Sequence, residues 1–175
     1  MSETRQHVLA TEGTLVNMSG LRIIGIDNDA LSRVLGSGID HGGNAIEPFV
    51  DDEGGWPLRC CLQDSQTGDS IAIIAWSPFS WIGPYAETGP IVVHVRGCLG
   101  PIADDRLPIE LDRRPMTLRP YGLDRRIAYD KVRFVDDHTS LTEHVTDLLR
   151  YPEIMEVHGR NVTGGCYSFM ASRAP

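Results

Sequence analysis

Lysine is almost missing from this chain: of its 16 basic residues only Lys131 is lysine, and 24 acidic residues stand against them. The resulting formal charge of -8 leaves no basic face to reward the phosphates of DNA, RNA or an anionic membrane. Neither nucleic acid nor membrane is therefore an expected partner. Long apolar runs are also absent. No stretch approaches the roughly 20 residues that cross a bilayer, and Met1 to Ala10 lacks the apolar core of a secretory signal, so the expected location is the cytoplasm. Phosphate-cradling glycine motifs are missing, because neither Gly36-Ser-Gly38 nor Gly42-Gly43 lies between a strand and a helix with the needed third glycine. Nucleotide cofactors are not expected. Cysteine is limited to four residues, which in a reducing compartment are free thiols or ligands rather than disulfides. Repeats and low-complexity segments are lacking as well.

What the 175 residues do hold is turn chemistry: 18 Gly and 11 Pro point to many short elements rather than long helices. Residues 1–20 are polar without a period and read as a loosely ordered arm. From 21 to 175 the pattern predicts a single α+β domain, a mostly antiparallel central sheet of about six to eight strands with two flanking helices. Strands are expected over Leu21 to Ile26, Ala45 to Val50, Leu58 to Leu62, Ser70 to Ser77, Ile91 to Arg96, Thr117 to Tyr121, Arg126 to Val135, Ile154 to Arg160 and Cys166 to Arg173. One helix starts at Asp27 or Asn28 and stops at Gly36. The other is capped by Thr139 or Ser140, with Glu143 at capping-box distance from Ser140 and Leu141, Val145, Leu148 and Leu149 on one stripe. Three prolines in Leu99 to Pro115 leave room for one short helical turn.

The stretch Tyr85 to Cys98 carries the most chemistry. Alternation along a strand sets Ile91, Val93 and Val95 on one face and Val92, His94, Arg96 and Cys98 on the other. Imidazole, guanidinium and thiol in a row are costly to bury unpaired, so this face should line a cleft or a satisfied network. His158 and Arg160 share a face of the penultimate strand, and Cys166 opens the last one. The same rule applied to Leu58–Leu62 turns the adjacent Cys60 and Cys61 to opposite faces.

Four stretches carry a resemblance to a known family: Pro57-Leu-Arg-Cys-Cys-Leu62, Pro84 to Cys98, Leu118 to Tyr129, and Val157 to Tyr167. In order and spacing the chain resembles the domain of unknown function 1203 family of small bacterial proteins. The family's Gly-Pro-Ile-Phe-Val-His and following Cys correspond to Gly89, Pro90, Ile91, His94 and Cys98, and its final Cys-aromatic pair to Cys166 and Tyr167. Where the family commonly reads Arg-His-Cys-Leu, this chain has Cys60 in place of the His. The resemblance implies a fold and a site but no reaction.

These residues suit three kinds of chemistry. His94, Cys98, His158 and Cys166 would form a zinc set if the last hairpin lay beside the Ile91 strand, but the spacing is not that of a zinc finger, so no metal and no cofactor is expected. Cys98 or Cys166 beside His94 or His158 would make a nucleophilic pair. His94 or His158 could also move a proton while Arg59, Arg96 or Arg160 holds an anion. The leading expectation is a cofactor-independent acid/base enzyme, of lyase, isomerase or cyclase type, acting on a small anionic metabolite in a biosynthetic pathway. Its catalytic set is His94, His158, Cys98 and Cys166. Its substrate-binding set is Arg59, Arg96, Arg160, Asn161 and Tyr85, the last closing an aromatic loop from Phe79 that would fold over the ligand. The alternative is a non-catalytic binding or interaction module whose His and Cys residues stabilise the fold, with zinc as the metal they would suit. Monomer and homodimer are both compatible with this composition.

Overall fold

The computed structural model describes residues 20–101 and 103–174, so the expected arm at 1–20 lies outside the described residues except for Gly20. The fold is α+β and mostly sheet, as the pattern implies. Its strands divide between two antiparallel sheets instead of forming one. The larger has the order β1 (Leu21–Ile24), β8 (Tyr167–Arg173), β7 (Ile154–Asn161), β5 (Met116–Gly122), β6 (Arg133–Val135). The smaller has β2 (Phe49–Val50), β3 (Ser70–Trp76) and β4 (Gly89–His94) in that order. The helices are α1 (Asn28–Ser37), a single turn α2 (Ile109–Asp112) and α3 (Leu141–Leu149). No helix among the described residues is long and apolar enough to cross a membrane.

The caps sit close to where the side chains put them. Asp27 accepts from the Ala30 N–H at the start of α1, and Ser140 accepts from the Glu143 N–H at the start of α3. α1 runs past Gly36 and stops at Gly38, whose φ of 71° takes the left-handed turn that favours glycine. α3 lays Leu141, Val145, Leu148 and Leu149 on one face of the large sheet against Met116, Leu118, Val157 and Phe169. In the middle of that face Gly159 leaves room for a ring: a Cβ there would stand 2.6 Å from Cζ and 2.7 Å from Cδ1 of the fully buried Phe169.

A second core lies under the small sheet, where Ile71, Ile74, Ile91 and Val93 meet Leu31 of α1, Cys60 and Tyr167. β4 ends the order of its sheet, yet its outer side is covered: Leu58 bridges to Val92 in parallel, and the Arg59 N–H donates to the Val92 carbonyl. Beyond Leu58 the expected strand fails. The chain closes a turn in which the Leu62 N–H returns to the Leu58 carbonyl, and Leu62 itself takes a φ of 62°. The expected strand over Ala45 to Val50 shrinks to Phe49–Val50. That over Arg126 to Val135 shrinks to Arg133–Val135 because Tyr129–Lys131 closes a 3-10 turn that leaves the ladder, with the Lys131 N–H donating to the Ala128 carbonyl.

Candidate metal centre

The turn that replaces the expected strand decides the chemistry. In a strand Cys60 and Cys61 would point apart, but coiled between Leu58 and Leu62 both reach the end of β4. Cys60 Sγ lies 3.5 Å and Cys61 Sγ 3.9 Å from Nδ1 of His94, and the His94 N–H also points at Cys60 Sγ, 3.3 Å away. Gly97, with a φ of 72°, swings the chain round after β4 and brings Cys98 in as the fourth member. The four ligand atoms lie within 4.8 Å of one another. Tetrahedral zinc, with Zn–S near 2.3 Å and Zn–N near 2.0 Å, needs its donors about 3.5 to 3.8 Å apart, so this cluster is close to the required size.

The surroundings prepare the donors. Nε2 of His94 stands 3.1 Å from an Asp69 carboxylate oxygen that also accepts from the Gln66 N–H. With its proton on Nε2, His94 donates to Asp69 and turns the Nδ1 lone pair to the thiols, the arrangement in which a carboxylate orients a metal-binding imidazole. The Gln66 N–H, then His94, holds the Asp69 carboxyl below its usual range, so the orienting group stays ionised. Within the cluster the hydrogen bond from Cys60 brings the Cys61 thiol down to about 6. The same bond and burial push Cys60 up, and burial pushes Cys98 up. Arg59 fixes the turn from behind: buried itself, it donates from Nε to the Tyr167 carbonyl at 2.6 Å and from Nη1 to the Pro57 carbonyl. These bonds tether the cysteine turn to β8.

A family model described as "Protein of unknown function (DUF1203)" matches residues 55–173. The chain belongs to this family. No curated protein and no solved structure gives a match. In this member of the DUF1203 family all four residues of the cluster fall inside the matched region, whereas β1 and α1 precede it.

The remaining predicted site residues lie elsewhere. His158 stands on β7 in the other sheet, fully buried, with ring centroids of Phe79 and Tyr121 each 4.8 Å away. Its expected partnership with His94 in one cleft is not formed: His158 is enclosed, while His94 faces Cys60, Cys61 and Asp69. Nε2 lies 3.2 Å from Glu156, which also accepts from Trp81 Nε1 at 3.3 Å, but not in line for a hydrogen bond. The aromatic loop does fold over this histidine, as packing and not as a lid on a cleft. Cys166 is half-buried at the β7–β8 turn beside Gly164, so it cannot join His94 as a ligand or nucleophile. Asn161 builds that turn through its backbone, its N–H donating to Cys166 and its carbonyl accepting from Gly165. Arg96 is exposed at the rim of a cleft of about 130 Å³ that reaches His94 and Cys98. Tyr85 lines a separate 540 Å³ cleft with Lys131 and Ile127. Arg160 is both buried and on the wall of a cavity.

Sequence reasoning missed Cys60, Cys61 and Asp69. The available signal was two adjacent cysteines bordering the His94-Val-Arg-Gly-Cys98 spacing, which alternation along an assumed strand concealed. It also missed the sheet face on which Arg119 and Tyr121 of β5 join Glu156, His158 and Arg160 of β7.

Burial keeps His158 neutral by lowering its pKa, which gives a pH expectation. Below about pH 6.5 the unfolded chain takes up a proton that the folded one refuses, so this histidine's contribution to stability is full above that pH and falls as the pH drops. In zinc-replete buffer, melting curves of a His158→Phe variant should therefore depend less on pH below about 6.5 than those of the parent protein. Parallel profiles would show that His158 does not stay neutral on folding.

Proposed function

We propose that this protein is a zinc-binding module in which Cys60, Cys61, His94 and Cys98 hold one structural zinc ion. The observation that carries the reading is convergence: two residues from a turn, one from the end of β4 and one from the loop after it put three sulfurs and one imidazole nitrogen within 4.8 Å. Four protein donors close a zinc coordination sphere, the pattern of structural rather than catalytic sites. The irregular spacing that argued against metal loses its force, since the convergence comes from two turns and not from a finger-like repeat. The Cys60 position, commonly His in the family this chain resembles, fits the same reading, because His and Cys are interchangeable as zinc donors. An acid/base enzyme built on His94 and His158 is less well supported, as a shared proton path would need both histidines in one cleft.

In this role zinc would staple the cysteine turn, the end of β4 and the 95–98 loop into one body. It would also offset the cost of burying Cys60 and Cys61 as thiolates. The decisive measurement is substitution of the metal by Co(II), which reports ligand type and geometry directly. The expected result is one equivalent bound, with intense visible bands of a tetrahedral site and sulfur-to-metal charge transfer, both lost in Cys61→Ser. Absence of binding, or the weak bands of octahedral Co(II), would sink the proposal. Because the thiols must be deprotonated, zinc affinity should fall as the pH falls.

A further inference from the structure

Away from the cysteine cluster, Arg160 is a guanidinium with too few partners. Only 5% of its surface is exposed, and of its five N–H groups one donates in line, from Nη1 to the Gly165 carbonyl at 3.4 Å. Nη2 comes within 2.5 Å of Glu87 Oε1 but out of hydrogen-bond alignment, and Nε has no partner. The same Glu87 oxygen stands 2.5 Å from Nη1 of Arg119. A single carboxylate oxygen, on an exposed loop side chain, thus serves two guanidiniums. Buried cations are costly unless paired, and guanidinium pairs best with a carboxylate that meets two of its N–H groups at once.

Arg160 borders a cavity of about 170 Å³ whose other walls include Trp76, Pro90, Tyr167, Glu87 and Cys166. At about 30 Å³ per water this is the space of roughly five to six waters. The Arg160 guanidinium lies 5.8 Å from the Tyr167 ring centroid, so the ring backs the cationic group on one side. Of the residues that line the cavity, Arg160 and Glu87 are the charged ones, so the buried cation is faced there only by an exposed carboxylate. We propose that this cavity binds a small carboxylate with a short apolar body, its carboxyl group on Arg160 and its body between Trp76, Pro90 and Tyr167, beside the Cys166 thiol. Glu87 occupies the guanidinium edge when the ligand is absent and gives way to it. This site is independent of the metal centre.

Cys166 supplies the readout. Iodoacetate is itself a small carboxylate and iodoacetamide is its neutral counterpart; with either, the thiolate sulfur forms a C–S bond, iodide leaves, and the thiol proton goes to solvent. The experiment measures the rates of both reagents at Cys166 by peptide mapping of the zinc-loaded protein, with free cysteine as reference. The expected result is an iodoacetate-to-iodoacetamide ratio at Cys166 at least tenfold above that of free cysteine. It should rise further in Glu87→Gln and fall in Arg160→Met, and propionate should slow the reaction. Glu87→Gln changes an exposed loop side chain and keeps the test usable if Arg160→Met fails to fold. A ratio less than tenfold above that of free cysteine in both the parent protein and Glu87→Gln overturns the proposal. So does no modification by either reagent, since a cavity that admits a carboxylate must admit these.

Discussion

Removing zinc with a strong chelator should lower the melting temperature of this protein by about 10 °C. A ligand present at 1,000 times its dissociation constant stabilises the folded state by about 4 kcal/mol, and for a chain of this size each kcal/mol moves the midpoint by roughly 2 to 4 °C. The loss should be reversed by adding zinc and not by magnesium, which prefers oxygen donors. Cys98→Ser should abolish the zinc-dependent part while costing the metal-free protein no more than about 1 kcal/mol, because this half-buried thiol lies outside the densest packing. If the zinc-loaded and chelated proteins melt together, the four donors are only a packed thiol cluster and the metal reading fails. If both Cys98→Ser and His94→Ala keep the zinc response, the metal sits elsewhere.

The second large effect comes from the other core. Gly159→Ala should destabilise the domain by about 3 kcal/mol, at the upper end for overpacking, because the new Cβ runs into the ring of Phe169, which is fully enclosed and has nowhere to turn. Phe169→Leu alone should also destabilise, by leaving a cavity. Together the two changes should cost clearly less than their sum, since the smaller side chain vacates the space the methyl group needs. Denaturant unfolding of the three variants and the parent closes the cycle. Additive costs would mean that β7 and β8 shift apart to accept the methyl, and that the sheet is softer here than its packing implies.

How much of this was legible beforehand depended on whether a signal was local. The caps at Asp27 and Ser140 and the stripe of α3 were readable because each rests on residues within one or two turns. The strands β3, β4, β7 and β8 were readable because each is a short apolar or alternating run bounded by turn residues. The split into two sheets was not, since which strands pair is decided between segments far apart in the chain. The site followed the same division. His94 and Cys98 announced themselves by type and spacing. Cys60 and Cys61 were misplaced because a strand was assumed where Leu62 takes a left-handed turn, and one wrong local conformation reversed the direction of a thiol. His158, for all its chemical promise, proved to be enclosed by Phe79 and Tyr121, and nothing short of the tertiary fold could have shown that.

The pairing of β1 with β8 bears on where this chain can be cut. The region shared with the family starts at residue 55, yet Leu21–Ile24 supplies the outermost strand of the large sheet, and the Tyr167 hydroxyl donates to the Gly25 carbonyl at 2.6 Å. The boundary of similarity is therefore not a boundary of self-sufficiency. A fragment beginning at residue 55 would lose the strand that shields β8 and leave that seven-residue strand as an open margin, its N–H and C=O groups free to recruit a strand from another molecule. The segment before the matched region thus replaces a seven-residue sheet edge with one of four residues.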